Sequence, residues 1–210
     1  METPMKTLFA LAALTVALPG LAAAEEESKF KAYTGTLEFS FGFGGTATAE
    51  PDKGDSTEAD LATTLSITPG LDKMLGTTVG IGLEYGFNWY KGEDVTVAGT
   101  TVEDKNRQLV MTPMGRVRMA FPVYDKITFD GMFGIGAALW TADKDAAKDT
   151  PTDSLRVGWA LRFNFGGSYQ FNPSVAAFGS LGYMTTTSFG DDVSLTYATI
   201  PLNVGLRGGF

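Results

Sequence analysis

The 210-residue sequence contains no cysteine and no histidine. The first absence removes a disulfide framework, a thiol nucleophile and any thiolate metal site. The second removes the commonest general base, the usual zinc and copper ligand, and every Ser-His-Asp or Cys-His arrangement. Positive charge is scarce as well: Lys+Arg is 16 against Asp+Glu 24, a net charge of -8, which argues against a basic face for nucleic acid. Charged residues make up only 19% of the chain, below the ~25% usual in soluble domains. Long hydrophobic runs are missing too. The apolar stretch Leu8 to Leu18 is shorter than the roughly 20 residues a membrane-spanning helix needs.

That stretch follows Lys6 and leads into Pro19-Gly20 and Ala22-Ala23-Ala24. A basic start, a short apolar segment and a small-residue cleavage box predict a secretory signal peptide over residues 1–24, with cleavage after Ala24. Glu2 is atypical there, and initiation at Met5 would remove it. The run Glu25-Glu26-Glu27 argues against the alternative of a buried N-terminal helix. Residues 25–210 are expected to form one domain.

That domain alternates with period two. Tyr33, Gly35, Leu37, Phe39, Phe41 and Phe43 share one parity; Thr34, Thr36, Glu38, Ser40 and Gly42 share the other. Val79 to Trp89 repeats the pattern, with Gly80, Gly82, Glu84, Gly86 and Asn88 opposite. Such a period belongs to a strand whose faces meet different environments. Further runs start at Leu61 (to Ile67, closed by Pro69-Gly70), Leu109 (to Phe121), Ile127 (to Leu139), Leu155 (to Phe171), Val175 (to Tyr183) and Ile200 (to Phe210). Leu195 and Tyr197 fall on the other parity from Ile200, and a bulge near Ala198 would reconcile them. Pro113 and Pro201 inside these runs weaken them or mark irregular pairing.

The connectors alternate too. Pro69 to Gly76, Pro122 to Lys126 and Asn172 to Ser174 read as short turns. Gly44 to Asp60, Lys91 to Arg107, Ala142 to Ser154 and Thr186 to Asp192 read as longer, acidic loops. The opposite parity from the apolar series is small and polar, rich in Gly, Ser, Thr and Ala with single charges, as inside a narrow barrel. The apolar parity carries Trp89, Trp159, Tyr33, Tyr85 and Tyr169, the residues of interfacial girdles. The reading is all-β: an eight-stranded antiparallel up-and-down transmembrane β-barrel. A soluble sandwich is one alternative. A membrane helix in the charge-free Phe163 to Gly190 is another, opposed by the alternation of Asn164, Ser168 and Gln170 with aromatics and by Asn172-Pro173.

Taken together, these features resemble the small outer-membrane barrels of the OmpA/OmpX type, and the closing stretch Ile200 to Phe210 resembles the last strand of that family. The resemblance implies that terminal Phe210 serves as the signal read by the barrel-assembly machinery. It is to the stand-alone members, without a peptidoglycan-binding domain. It implies a bacterial outer-membrane location, with outer-membrane lipid and lipopolysaccharide as surroundings and the acidic loops available to an extracellular ligand or surface partner. The enzymatic barrels of this architecture use a catalytic histidine, and this chain has none. No cofactor or metal site is expected. The glycines of 42–45 and 131–136 lie in strands, which leaves a phosphate cradle unsupported. Asp143, Lys144 and Asp145 start like an EF-hand loop and then lose its spacing. The Asp191-Asp192 pair reads as solvated.

The inward charges are Glu38, Glu84, Asp130, Arg116, Arg118, Arg162 and Arg207. Counted from the short-turn end, Glu38, Glu84 and Arg162, with Arg116 slightly lower, make a middle layer; Arg118, Asp130 and Arg207 make a second one below. Two functions stay open. One is a polar-plugged scaffold presenting acidic extracellular loops for membrane integrity, surface interaction or adhesion. The other is a small pore, or a carrier for small solutes of the OmpW-like kind.

Overall fold

The computed structural model describes residues 32–51, 55–92, 95–97, 100–102, 107–141, 156–189 and 193–210. The expected signal peptide, Glu25 to Glu27, the connector from Ala142 to Ser154 with its Asp143-Lys144-Asp145 start, Leu155, and Asp191-Asp192 lie outside the described residues.

The strands are β1 (Tyr33–Pro51), β2 (Thr57–Met74), β3 (Val79–Gly92), β4 (Val95–Val97), β5 (Thr100–Val102), β6 (Arg107–Tyr124), β7 (Ile127–Trp140), β8 (Arg156–Asn172), β9 (Val175–Ser188) and β10 (Val193–Gly209). Eight of them close into a barrel in the order β1-β10-β9-β8-β7-β6-β3-β2, with every neighbouring pair antiparallel. The short pair β4 and β5 forms a separate hairpin between β3 and β6. Closure leaves no free edge around the wall, which is the condition for strands to cross lipid.

The alternation has the orientation of a membrane barrel. Leu83, Phe165 and Phe43 are about 70% exposed, while Glu84, Asn164 and Ser40 beside them in the lumen are buried. The stretch Tyr33 to Phe43 has the roughly 9–11 residues that a tilted strand needs to cross hydrocarbon. No helix among the described residues is long and apolar enough to cross a membrane.

Several strands run further than the sequence reading allowed. Pro69-Gly70 does not close β2, which continues to Met74 because the β1 ladder holds it from Leu37↔Pro69 to Tyr33↔Lys73. The Gly44 to Asp60 connector shrinks, since β1 and β2 stay paired out to Ala49↔Thr57. Leu61 points inward and not outward, because a register shift between Leu61 and Thr63 reverses its parity.

The parity change near the top of the last strand also has a different cause. On β10 the odd positions stay inward throughout: Arg207, Asn203 and Thr199 are buried, and Leu195 and Tyr197 pack on the interior cluster. The bulge lies on β1, where the register against β10 shifts between Gly42 and Gly45. Gly44 and Gly45 take φ of 70° and 150°, the left-handed region open to glycine. Beyond it β1 turns its other face inward and Ala47 joins the interior. Pro201 sits beside this irregularity, opposite Gly42, and Pro113 faces outward opposite Tyr85.

Candidate functional site: the charged lumen

The interior of an eight-stranded barrel is just wide enough for side chains to fill. Here it divides in two along its length. The half nearer the long connectors holds an apolar cluster: Leu61, Tyr90, Val110, Met114, Ala138, Trp140, Ala160 and Met184 pack together and are buried. The Tyr197 ring stands between Tyr90 and Trp140, with centroids 4.7 and 4.6 Å away. The small, polar face read along the whole sequence is broken there by these larger side chains, though Thr64, Asn88, Thr112, Thr186 and Ser188 are buried among them. Trp140 and Tyr90 share the inward parity of Ala138 and Asn88, so alternation alone was sufficient to place them.

The half nearer the short turns is ionic. Arg116 on β6 donates from Nε and Nη2 to both oxygens of Asp72 on β2 (2.7 and 2.9 Å), from Nη1 to Glu84 on β3 (2.9 Å), and from Nη2 to Thr36 Oγ1 (2.8 Å). Arg162 on β8 donates to Glu84 Oε1 (3.4 Å) and, across the lumen, to Glu38 on β1. Ser40 donates to the same Glu38 oxygen at 3.0 Å. With its oxygen turned toward Arg162, the Asn164 amide accepts from Nε at 3.1 Å and Nη2 at 2.8 Å. These side chains tie β1, β2, β3, β6 and β8 together through the axis.

A second group lies closer to the short turns. Arg118 Nε and Nη2 donate to Asp130 Oδ1 at 3.0 and 2.7 Å, and Arg207 Nη1 donates to Asp130 Oδ2 at 3.2 Å and to Ser168 Oγ at 3.3 Å. The Arg207 guanidinium also lies over the Phe178 ring, 4.9 Å from its centroid. A cavity of about 30 Å³ separates the groups, lined by Thr36, Glu38, Asp72, Arg116, Asp130 and Arg207 among others. It is the size of a single water.

All seven sequence-selected charges point into the lumen, in two groups. An eighth was missed. Asp72 was placed in a turn, yet its side chain is fully buried against Arg116. Its parity with Thr64, Ser66 and Thr68 carried the signal; Pro69-Gly70 masked it by reading as a strand end. Inclusion of Asp72 makes the ion-paired set balanced among the described residues, four arginines against four carboxylates. Gly70 is part of the same arrangement: a Cβ there would lie 2.6 Å from Arg116 Nη1, so only a bare backbone lets that guanidinium pass.

Uncompensated charge in so dry an interior costs several kcal/mol per ion, so removal of one partner is far worse than removal of a pair. The arrangement binds strands to one another across the axis. Among the described residues there is no cluster of carboxylates suited to a metal ion.

Phe210 ends the chain at the seam. Tyr33 N donates to its carbonyl (3.1 Å), its own N donates to Tyr33 O (2.9 Å), and the two rings stack with centroids 6.2 Å apart.

Residues 8–207 match the family model described as the outer membrane protein beta-barrel domain. No curated protein sequence matches the chain significantly. Among solved structures the fold is similar to that of OprG from Pseudomonas aeruginosa, with a TM-score of 0.56, 15% identity and 88% of this chain and 99% of that one covered. Neisserial surface protein A gives a TM-score of 0.49 at 14% identity, covering 85% and 97%.

Proposed function

Because the chain belongs to the outer membrane protein beta-barrel domain family and so lies in the bacterial outer membrane, we propose that it is a closed, non-catalytic scaffold. Its lumen is a built-in plug, and its work is done by the acidic connectors at the far end, in membrane integrity, surface interaction or adhesion. One observation supports this reading above the others. Among the described residues, four arginines and four carboxylates in the lumen each make an ion pair, and an apolar cluster with aromatic rings packs in the other half. Lipid and lipopolysaccharide surround the outward apolar face, the assembly machinery receives Phe210, and an extracellular ligand is the partner of the loops.

A transport reading has an observation of its own. A groove of about 580 Å³ lies on the wall around Leu71, Leu83 and Tyr85, between Pro69 and Pro113, which have no N–H to donate to the ladder. It lies at the height of Glu84 and reaches Met114 of the apolar cluster, so this is the site from which a carrier would release an apolar solute through the wall.

Planar-bilayer recording separates the two. The wild-type barrel should pass no steady small-ion current, whereas Arg162→Ala, which strips Glu38 and Glu84 of their shared cation, should conduct and melt at lower temperature. A steadily conducting wild type overturns the plug. An Arg162→Ala variant with wild-type melting and conductance favours the carrier.

A further inference from the structure

The wall groove at Pro69 coincides with a gap in the backbone ladder. The β2–β3 pairs Ile67↔Phe87 and Gly70↔Glu84 bracket two positions that do not pair, and the register sets Pro69 opposite Tyr85 between them. On its other edge Pro69 keeps an unbroken ladder with β1, through Leu37↔Pro69. The N–H that Pro69 lacks is therefore one that β3 would have received. Antiparallel residues that face each other in this way exchange two bonds, and here only one can form, from the Tyr85 N–H to the Pro69 carbonyl. The pairing agrees: Gly70↔Glu84, on the side of that bond, is kept, and Thr68↔Gly86, on the other side, is lost. What stays open is the Tyr85 carbonyl.

That carbonyl stands at the height of the lipid-exposed Leu71 and Leu83, where no water replaces the missing donor and an unpaired backbone group is costly. The groove of about 580 Å³ is lined by both residues of the gap, Pro69 and Tyr85, and by Gly70 and Glu84. Gly70 has no side chain and the Glu84 side chain is fully buried against Arg116, so these two offer the groove their main chain. The Tyr85 ring is drawn toward β6, away from the gap: its hydroxyl donates to Met111 Sδ at 3.4 Å, and it packs on Phe87 with centroids 5.0 Å apart. Elsewhere the groove follows the cross-strand row Leu71, Leu83 and Gly115, which is apolar.

A groove of this size with apolar walls and one main-chain acceptor suits a small molecule with an apolar body and one hydroxyl. We propose that it is a binding site for small apolar alcohols and phenols. The ligand hydroxyl donates to the Tyr85 carbonyl in place of the N–H that Pro69 lacks, and the apolar body lies along Leu71, Leu83 and Gly115. The site gives the transport reading a solute class but rests on the Pro69 gap alone, so a closed, non-transporting barrel would bind the same molecules.

Tyr85-Gly86 is the one Tyr-Gly step in the sequence. The full chain, refolded in detergent micelles with carbonyl-labelled tyrosine and amide-labelled glycine, therefore gives a single carbonyl–amide correlation that reports the Tyr85 carbonyl. It is followed during addition of para-cresol or of its methyl ether, which has the same ring and no donor. The expected result is a saturable shift with the phenol at about fivefold higher affinity than with the ether, the worth of one net hydrogen bond. Pro69→Ala returns an N–H to the ladder and should abolish that preference. Gly115→Leu fills the groove where a Cβ would meet nothing closer than Ile135 O at 3.9 Å. It should remove the saturable shift, and it decides the matter if the alanine variant does not fold. Equal affinity for phenol and ether in the wild type would show apolar filling only and overturn the site. So would the absence of a saturable shift, a preference unchanged in Pro69→Ala, or binding unchanged in Gly115→Leu.

Discussion

Substitution of Arg116 by methionine should destabilise the barrel severely, and the partner substitution should undo most of the damage. In the native lumen Arg116 holds Asp72 through two bonds of 2.7 and 2.9 Å and Glu84 through one of 2.9 Å, all fully shielded. Loss of the guanidinium leaves Glu38, Asp72 and Glu84 with Arg162 as their only cation, raising the uncompensated charge of the group from -1 to -2. Removal of one partner from a buried pair costs about 3–5 kcal/mol. At about 2–4 °C per kcal/mol for a chain of this size, the melting transition should fall by ~6–20 °C. Addition of Asp72→Asn restores the native charge of -1 and should recover ~2–3 kcal/mol, which a double-mutant cycle reads as coupling. Urea unfolding of the micelle-folded barrel, followed by tryptophan fluorescence and by heat-modified mobility on gels, supplies the four stabilities. If Arg116→Met and Asp72→Asn add to within ~0.5 kcal/mol, the two side chains do not depend on one another and the reasoning fails.

Two further outcomes follow from the same structure. Deletion of Phe210 removes both backbone bonds to Tyr33 and the ring stack at the seam, and should lower the yield of folded barrel recovered from outer membranes; unchanged insertion would remove its role in assembly. Trypsin added to whole cells should cut after Lys144 or Lys148, between β7 and β8 on the long-connector side, whereas a glutamate-specific protease should spare Glu50 and Glu58, which lie in the paired part of β1 and β2; cleavage confined to the turns around Asp125 or Pro173 would invert the orientation.

Much of this architecture was legible because one rule, inward and outward by turns, is enforced by lipid on one side and a narrow lumen on the other. Glu38, Glu84 and Arg162 needed nothing more than their parity. The rule failed where backbone chemistry was read as punctuation. Pro69-Gly70 was read as the end of a strand, which hid Asp72, although a strand anchored on its other edge by β1 tolerates both residues. Leu195 and Tyr197 were read as out of phase because apolar side chains were assigned to lipid. In fact they pack on an apolar cluster inside the lumen, and the phase change belongs to Gly44-Gly45 on the neighbouring strand. Which half of a barrel interior is ionic depends on what each strand meets across the axis, and no single strand carries that information.

The seam between β1 and β10 has a consequence for the order in which the molecule is made. Every other interface of the wall joins consecutive strands of the barrel, so each can form as a local hairpin while the chain is still incomplete. The β1–β10 ladder, from Thr34↔Gly209 up to Pro51↔Val193, has to bring together the two ends of the described domain. Closing a loop of roughly 175 residues costs on the order of 4–5 kcal/mol in chain entropy when nothing has been ordered beforehand. A growing ladder lowers that cost hairpin by hairpin, since each added strand curves the sheet and carries its free edge nearer to β1. Closure is thus the natural last event. Until it happens the barrel is an open sheet with two bare edges in the membrane, and those edges are what an assembly factor would have to shield.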